Sequence, residues 1–348
     1  MPKVVLMLNR FTCSNLGDQE IADCYESFLA KNYDVTVIRA DYTSRRVRSL
    51  GVNAPLRYRS IKTFIKNIIP ARLVWVSNLW RVLGTVKKSR ADLVLIGGGQ
   101  LIMPGVFCLA AFSWVAVSKL FGTKVVMANV GAGGNFDKFD RWLIRATMSR
   151  LDGVSFRDKI SCNTVTSIYT RGLSKYRMSS DIVYTKDIEK PIIGARSNLA
   201  IGVTDWSVFL LHGGSGSREE YFIKWIQLLL EERQDNENVS LIYATAEDYK
   251  ETLLFRLFAK NNYNVICEMA EIKNTADLRY ILSSTRLLVS GRMHSLLIAE
   301  QSGCSFRPFL ISEKIESFYA DLLKLGLHDL QQHATSSTLE FLDPYLNR

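Results

Sequence analysis

Short runs of apolar residues alternate with longer segments of helical periodicity along this chain of 348 residues, and this alternation restricts the fold more than any other feature. The apolar runs show no polar alternation, so both faces of each predicted sheet should be covered by helices. The pattern therefore predicts an α/β protein with parallel, doubly wound, Rossmann-like sheets. Strands are expected at 4–8, 34–39, 92–96, 124–128, 153–156, 199–204, 239–244, 265–267 and 286–289, with helices at 18–31, 106–121, 136–149, 218–232, 248–260 and 275–284.

The chain is too long for one ordinary core, so two domains are expected. The polar stretch 186–198 contains Pro191 and Gly194, which predicts a linker. We expect a first domain over 1–185, a second over 199–330 and a tail over 331–348 that packs back onto the protein.

Cysteine usage and hydropathy bear on the compartment. The six cysteines are scattered without a C-x-x-C pair, which favours reduced, buried thiols in a cytoplasmic protein with no metal site and no cofactor. The apolar run before Asn9 is too short for a signal-peptide core. Residues 93–118 carry no charge, but Gly97, Pro104 and Gly105 interrupt them, so a strand, a loop and a buried helix are expected rather than a membrane span.

All of the net charge of +10 belongs to one segment. Residues 45–90 contain 12 Lys or Arg and no Asp or Glu, which leaves 32 basic and 34 acidic residues elsewhere. Tryptophans and aliphatic residues are interleaved with these charges at helical spacing. Two interpretations stay open: an insert that lies on an anionic membrane surface, and an ordinary solvated face. No nucleic-acid-binding fold surrounds the segment, so nucleic acid is not an expected partner.

The sequence SGRMHSLLIAEQSG at 290–303 marks the junction between a buried strand and a helix. Arg292 and His294 should therefore lie at the carboxyl end of a parallel strand, where open α/β sheets bind ligands. Arginine suits a phosphate or carboxylate, and histidine can transfer a proton near neutral pH. The alternative is that Arg292 pairs with a local carboxylate and His294 caps the helix.

Arg157 occupies an equivalent place in the first half, because it follows the predicted strand 153–156 and precedes a helix. Two arginines at strand ends in separate domains are expected to face each other across a cleft. The alternative for Arg157 and Asp158 is an adjacent surface pair, which would contribute little.

Six segments in order resemble the polysaccharide pyruvyl transferase family: NLGDQEI at 15–21, DLVLIGGGQL at 92–101, VSFRDKIS at 154–161, SSDIVY at 179–184, SGRMHSLLIA at 290–299 and SEKI at 312–315. Members look like two-domain proteins of the GT-B architecture, in which two Rossmann-like domains face a cleft. They transfer a pyruvyl group from phosphoenolpyruvate to a sugar as a cyclic ketal. The resemblance implies a catalytic role for His294, with Arg157 and Arg292 as anion-binding partners. Met293 and Thr185 depart from the residues common in the family, and the resemblance does not explain segment 45–90.

The chemistry agrees with these residues. Phosphoenolpyruvate carries a phosphate and a carboxylate, so its pocket needs at least two fixed cations. Asn15 and Asp18 follow the first strand, where an acceptor sugar could bind on the first domain; Asp18 could instead cap a helix. The further expected substrate-binding residues are Gly17, Gly98, Gly99, Gln100, Asp158, Ser290 and Lys314.

The expected partners are phosphoenolpyruvate, a sugar or lipid-linked oligosaccharide, and an anionic membrane surface through 45–90 at the inner face of the cytoplasmic membrane. Two other classes stay open. A GT-B glycosyltransferase would use a nucleotide sugar, for which the sequence offers only the loop HGGSG at 212–216. A silent carbohydrate-binding protein would bind sugar without releasing phosphate.

Overall fold

The computed structural model describes residues 2–43, 75, 77–186, 196–311 and 313–347. Within these ranges the chain forms two sheets that follow one another in sequence, and every strand pairing is parallel. The prediction of a parallel α/β protein is confirmed.

The first sheet runs in the order β2-β1-β3-β5-β6-β7, with β4 paired to β5. Its strands are β1 (Lys3–Asn9), β2 (Val35–Asp41), β3 (Leu93–Gly97), β4 (Gln100–Ile102), β5 (Lys124–Ala132), β6 (Gly153–Phe156) and β7 (Tyr176–Met178). The helices that accompany them are α1 (Leu16–Asn32), α2 (Leu79–Ser89), α3 (Val106–Leu120), α4 (Lys138–Met148) and α5 (Lys159–Thr166).

The second sheet runs in the order β10-β9-β8-β11-β12. Its strands are β8 (Asn198–Gly202), β9 (Asn238–Ile242), β10 (Glu268–Met269), β11 (Thr285–Ser290) and β12 (Ser305–Pro308). The helices are α6 (Trp206–Leu211), α7 (Arg218–Glu232), α8 (Ala246–Tyr263), α9 (Thr275–Ser283), α10 (Met293–Gln301) and α11 (Glu313–Leu346).

Strand β1 shows why uninterrupted apolar runs become central strands here. Successive side chains of a strand point to opposite faces, so an apolar run supplies two cores. Val5 and Met7 belong to one hydrophobic core, whereas Leu6 and Leu8 belong to the other. All four are fully buried.

Helix α11 carries the end of the chain to the first sheet. A backbone break at Gly326, with φ 75° and ψ 160°, divides it. Beyond the break the Tyr345 hydroxyl donates to the Asp152 carbonyl at 3.1 Å, and Lys3 Nζ donates to the Tyr345 carbonyl at 3.2 Å. The last turns of α11 therefore contact β1 and the approach to β6.

Polar contacts also join the two halves directly. The Leu16 backbone N–H donates to the Ala244 carbonyl at 2.9 Å, and Gln301 Nε2 donates to the Val183 carbonyl at 2.8 Å. Buried Glu20 on α1 accepts from Lys186 at 2.9 Å and also pairs with Arg279 on α9. Burial alone would raise the pKa of Glu20, but the two cations hold it below its ordinary value. These contacts bring the carboxyl ends of the two sheets together.

Several local predictions need correction. The strand expected at 265–267 is found at Glu268–Met269, because pairing with β9 begins only at Glu268. The short strands β4, β7 and β12 and the six-residue helix α6 were not predicted, since elements of three to six residues give no measurable period. The uncharged run 93–118 divides into β3, β4 and most of α3. Among the described helices, none combines the length and apolar character that crossing a bilayer requires.

Most of the basic segment 45–90 lies outside the described residues, but its last part bears on the prediction. Trp75 is buried, and its indole N–H donates to Ser113 Oγ at 3.0 Å. Arg81 donates to the Asp41 carbonyl at 2.6 Å and lies over the rings of Trp75 and Trp114. Trp75 therefore belongs to the core that also contains Leu6 and Leu8 and not to a membrane-facing surface, and half-buried Arg81 packs over it.

Candidate active site

A cleft of about 230 Å³ lies where the carboxyl ends of the two sheets meet, and both halves of the chain line it. This is the edge at which open α/β sheets bind ligands. The first half contributes Arg10, Asn15, Gly17, Asp18, Gly99, Gln100, Met103 and Arg157; the second contributes Val208, His212, Ala244, Gly291, Arg292, Met293, His294, Ser295, Ile311 and Ile315.

His294 lies in the first turn of α10, directly after β11 ends at Ser290. Its Nε2 atom is buried and has no hydrogen-bond partner among the described residues. The nearest carboxylate oxygen is Asp181 Oδ2, at 3.6 Å, and the contact is an ion pair only when the imidazole is protonated. An orphaned buried donor or acceptor is costly, so this atom is suited to a ligand that enters the cleft.

Gly17, in the first turn of α1, packs directly against the His294 ring. A Cβ at position 17 would collide with Nδ1 and Cγ of His294. The absence of a side chain at Gly17 therefore allows the first domain to approach the histidine of the second. The Asn15 side chain caps the same helix by accepting from the Gly17 N–H at 2.9 Å.

Arg157 follows β6, and its side chain is only 4% exposed. Nη1 donates to Asp181 Oδ2 at 3.0 Å, and Nε donates to Asp158 Oδ2 at 3.3 Å. Asp181 Oδ2 therefore faces both Arg157 and His294. Gly131 in β5 leaves room for the guanidinium, because a Cβ there would meet Nε and Nη2 of Arg157 at 2.8 Å.

Arg292 is the N-cap residue of α10 and makes a bidentate pair with Asp248 on α8. Nε donates to Oδ2 at 2.9 Å and Nη2 donates to Oδ1 at 2.6 Å. Asp248 is fully buried and also accepts from the Asp205 N–H at 2.9 Å. Burial alone would lower the pKa of Arg292, but Asp248 raises it above its ordinary value. Arg292 is thus paired with a carboxylate, but Asp248 lies 44 residues away in the sequence and is not a local partner.

A third arginine reaches the cleft from the loop after β1. Arg10 Nη1 lies 3.3 Å from Asp18 Oδ2, and the Cys13 thiol donates to the same oxygen at 3.2 Å. Burial, and then Asp18, raise the pKa of Cys13 to about 12, so it stays a thiol. Asp18 does not cap α1; Asn15 does, because the helix begins at Leu16 and not at 18.

Arg157 and Arg292, which both line the cleft, each keep one terminal guanidinium nitrogen without a hydrogen bond in the described structure. Nη2 of Arg157 and Nη1 of Arg292 make no hydrogen bond within the described part of the chain. A small anion between them would receive donors from both domains.

Comparison with known families identifies the chain. The family model described as polysaccharide pyruvyl transferase matches residues 15–313, most of the sequence. The chain belongs to this family. No curated protein sequence matches it.

Solved structures of low sequence identity share the fold of this pyruvyl transferase family member. The UDP-GlcNAc 2-epimerase of Neisseria meningitidis, bound to UDP-GlcNAc, has a TM-score of 0.53 at 10% identity and covers 100% of both chains. S. aureus MnaA in complex with UDP has a TM-score of 0.54 at 10% identity and covers 100% of this chain and 97% of its own. The UDP-GlcNAc 2-epimerase of Methanocaldococcus jannaschii has a TM-score of 0.53 at 10% identity over 97% and 93% of the two chains. The architecture is GT-B-like, with two Rossmann-like domains, as predicted.

The structure places most of the family member's predicted site residues together. Asn15, Gly17, Asp18, Gly99, Gln100, Arg157, Arg292 and His294 line one cleft. Three others lie beside it in supporting positions. Gly98, at φ 69°, packs over Ile21; Asp158 caps α5 and contacts Arg157; Ser290 Oγ accepts from the Arg292 N–H at 3.1 Å. The side chain of Lys314 lies outside the described part of the structure.

Sequence reasoning missed the carboxylates that hold the two arginines and the arginine that follows β1. Asp181 lies within the SSDIVY segment, but its approach to His294 crosses the domain boundary. Asp248 has only a helix N-terminal position as its signal, and Arg10 only a position directly after β1. His212, interpreted as a loop histidine, ends α6 and lines the cleft. Among the described residues, no three His, Cys, Asp or Glu side chains are grouped for a metal ion.

Proposed function

We propose that this protein transfers the pyruvyl group of phosphoenolpyruvate to two hydroxyls of a sugar in a polysaccharide precursor carried on a lipid, and so forms a cyclic ketal. The observation that carries the proposal is the buried, unbonded Nε2 of His294 beside two arginines in one cleft. Membership of the family supports the transferase reaction. The donor and the lipid-linked acceptor are inferences from the chemistry of the cleft and of polysaccharide assembly.

The donor anion would bind between the two arginines. Phosphoenolpyruvate carries a phosphate and a carboxylate close together, and guanidinium groups bind both by paired hydrogen bonds. Nη2 of Arg157 and Nη1 of Arg292 are two of the donors that the described contacts leave for this purpose. Asp181, Asp158 and Asp248 would hold the guanidinium planes before the substrate arrives, which limits the ordering cost of binding.

His294 would act as the general acid. Protonated at Nε2, it donates a proton to the methylene carbon, and the central carbon of the donor becomes electrophilic. One sugar hydroxyl then forms a C–O bond there, the bond to the phosphate oxygen breaks, and a second hydroxyl closes the ketal. Of the two hydroxyl protons, one restores the proton on His294 and the other leaves with phosphate, so the reaction balances.

Acceptor hydroxyls would be bound from the first domain. Asn15, Asp18 and Gln100 line the cleft opposite Arg292, and the carboxylate and amide oxygens of such side chains accept hydrogen bonds from sugar hydroxyls. Gly99, at φ 72°, lies next to Gln100 and presents no side chain to the substrate. This side of the cleft is therefore proposed to select the sugar.

The test is phosphate release from phosphoenolpyruvate with a panel of nitrophenyl glycosides and lipid-linked sugars. His294→Ala should lower acceptor-dependent release by about a hundredfold or more, as expected when a general acid is lost. His333→Ala is the matched control, because His333 is an exposed histidine on α11. Release that requires no acceptor, or that His294→Ala leaves intact, would contradict the proposal, and release of UDP or GDP from nucleotide sugars would support a glycosyltransferase instead.

A further inference from the structure

Three aromatic rings, two of them exposed and one half-buried, form a patch on the helix layer of the first domain. Phe139 and Trp142 of α4 are 43% and 53% exposed, and their ring centroids lie 5.8 Å apart in a stacked arrangement. Phe112 of α3 lies 5.8 Å from the Trp142 ring on the other side. We call these three residues the aromatic patch. Single exposed apolar residues are common, but a contiguous group of rings indicates an interaction surface.

The exposed charges within α4 are all positive, and the exposed acidic residue next to the helix is its N-cap, Asp137. Lys138, Arg141 and Arg145 are exposed on this helix, and the Arg150 guanidinium lies 5.8 Å from the Phe112 ring. The only acidic residue within α4, Asp140, is buried and accepts from the Gly105 N–H at 3.0 Å. The outer face of α4 therefore carries basic and aromatic side chains only.

This charge bias also extends over the described chain that precedes α4. Residues 79–150 contain 10 Lys or Arg and 3 Asp or Glu. On the opposite face of α4, Leu143, Ile144 and Met148 are buried in the hydrophobic core of the first domain. A helix with aromatic rings and basic residues on its outer face matches the pattern of segments that lie in the interface of an anionic bilayer.

Helix α8 of the second domain provides the contrast. Leu254 and Leu257 are exposed there at 43% and 58%, so apolar exposure alone does not distinguish α4. Residues 246–263 contain 3 basic and 3 acidic residues, however, and therefore carry no net charge. Unlike α8, α4 combines rings at the surface with a one-sided charge, which is complementary to acidic lipid headgroups.

We propose that the outer face of α4 docks the protein on an anionic lipid bilayer, with the aromatic patch at the headgroup level and the four basic residues facing the phosphates. The proposal rests on rings and charge and is independent of the reaction catalysed. The proposal also predicts where the cleft lies relative to the membrane. Asp140 holds the N–H of Gly105, two residues after Met103, which lines the cleft. Docking through α4 would place the cleft close to the membrane surface.

The test is sedimentation of the full chain with vesicles of phosphatidylcholine alone and with vesicles that also contain phosphatidylglycerol. We expect binding to the acidic vesicles that weakens as salt is added, and little binding to the neutral ones. Lys138→Glu with Arg141→Glu should reduce the affinity by about thirtyfold or more. Phe139→Ser with Trp142→Ser should reduce it about tenfold or more. Leu254→Ser with Leu257→Ser, on α8, is the matched control and should bind as the native protein does.

Each other outcome decides against the proposal. Equal binding by the native protein and both α4 variants would place the contact elsewhere, including segment 45–74. Binding to neither vesicle would remove the membrane from consideration. A native dimer that both α4 variants convert to a monomer, without lipid binding, would make the face a subunit interface. Phosphate release with a water-soluble acceptor should be the same in all variants, so failure here is distinguishable from failure of the proposed reaction.

Discussion

The two arginines of the cleft follow equivalent strands, but their surroundings differ. Arg292 and its partner Asp248 both belong to the second domain and are joined by two hydrogen bonds of 2.9 and 2.6 Å. Arg157 and Asp181 belong to the first domain, and Asp181 also faces His294 of the second at 3.6 Å. The Arg292 pair is therefore complete within one domain, whereas the arrangement around His294 exists only when both domains are in place.

This difference separates two roles that a sequence pattern makes look alike. An intradomain bidentate pair sets the orientation of Arg292 whatever the domains do. The group of Arg157, Asp181 and His294 instead depends on domain contacts, including Gly17 against the His294 ring. Substitutions at the Arg292–Asp248 pair should change stability most. Substitutions at the group of Arg157, Asp181 and His294 should change turnover most.

The largest effect is expected at Asp181. In Asp181→Asn the side chain keeps its shape, and its Oδ1 can still accept from the Val183 N–H, as Asp181 does at 3.3 Å. The carboxylate that faces both Arg157 and His294 is lost. We expect kcat for phosphate release to fall about a hundredfold, in the range for a perturbed general acid. KM for phosphoenolpyruvate should not rise, because Arg157 loses a competing anion.

Asp158→Asn is the comparison for that experiment. Asp158 contacts Arg157 at 3.3 Å but is 36% exposed and has no contact with His294 in the described structure. The fall in kcat of Asp158→Asn should be at least about tenfold smaller than that of Asp181→Asn. Equal losses in the two variants, or a rise of KM in Asp181→Asn without a change of kcat, would mean that Asp181 serves Arg157 only.

The second effect concerns stability and the Arg292 pair. Asp248→Asn leaves a partly buried guanidinium without its carboxylate. Removing one partner of a fully buried pair costs about 3–5 kcal/mol. Since the Arg292 side chain is 26% exposed, we expect a smaller loss of about 2 kcal/mol, measured by thermal or urea unfolding.

Glu237→Gln is the matched control for Asp248→Asn. Arg286 makes a similar pair with Glu237, through two hydrogen bonds of 2.8 Å, and its side chain is 27% exposed. Neither residue lines the cleft. Both variants should lose stability to a similar degree, but only Asp248→Asn should raise KM for phosphoenolpyruvate. If both variants leave KM for phosphoenolpyruvate unchanged, Arg292 orients the loop between β11 and α10 and does not bind the donor.

The sequence predicted the fold better than it predicted the site. Long apolar runs and helical periods are local signals, so most strands and helices were placed within a few residues, and helix 218–232 was placed without error. The sequence also predicted Arg157, Arg292 and His294 as site residues, because the carboxyl end of a parallel strand is a position that the pattern defines.

The partners of these residues could not be predicted from the sequence. Asp181 lies 113 residues from His294, and Asp248 lies 44 residues from Arg292. No period or spacing links such pairs, since they meet only through tertiary packing. Trp75 was misplaced for the same reason: composition indicated a surface segment, whereas packing against Ser113 takes this side chain into the core, with half-buried Arg81 over its ring.

The smallest effect is expected at Glu20, which joins α1 to Arg279 and Lys186 across the domain boundary. Its pKa is lower in the folded protein than in the unfolded chain. The contribution of Glu20 to stability is therefore present above the unfolded pKa of about 4.3 and is lost as the pH falls through the folded pKa.

Glu20→Gln should cost about 1 kcal/mol at pH 7, because both cations are partly exposed. The native and variant proteins should then converge in stability as the pH falls through the folded pKa of Glu20, which lies below its unfolded value. Glu26→Gln, on the exposed side of the same helix, removes only a solvent-exposed pair with Arg39 and should show much smaller effects. If the stability difference between native protein and Glu20→Gln is the same at pH 7 and pH 3, the ion pairs at Glu20 do not hold the domains together, and the arrangement around His294 depends on apolar contacts and on Gly17 instead.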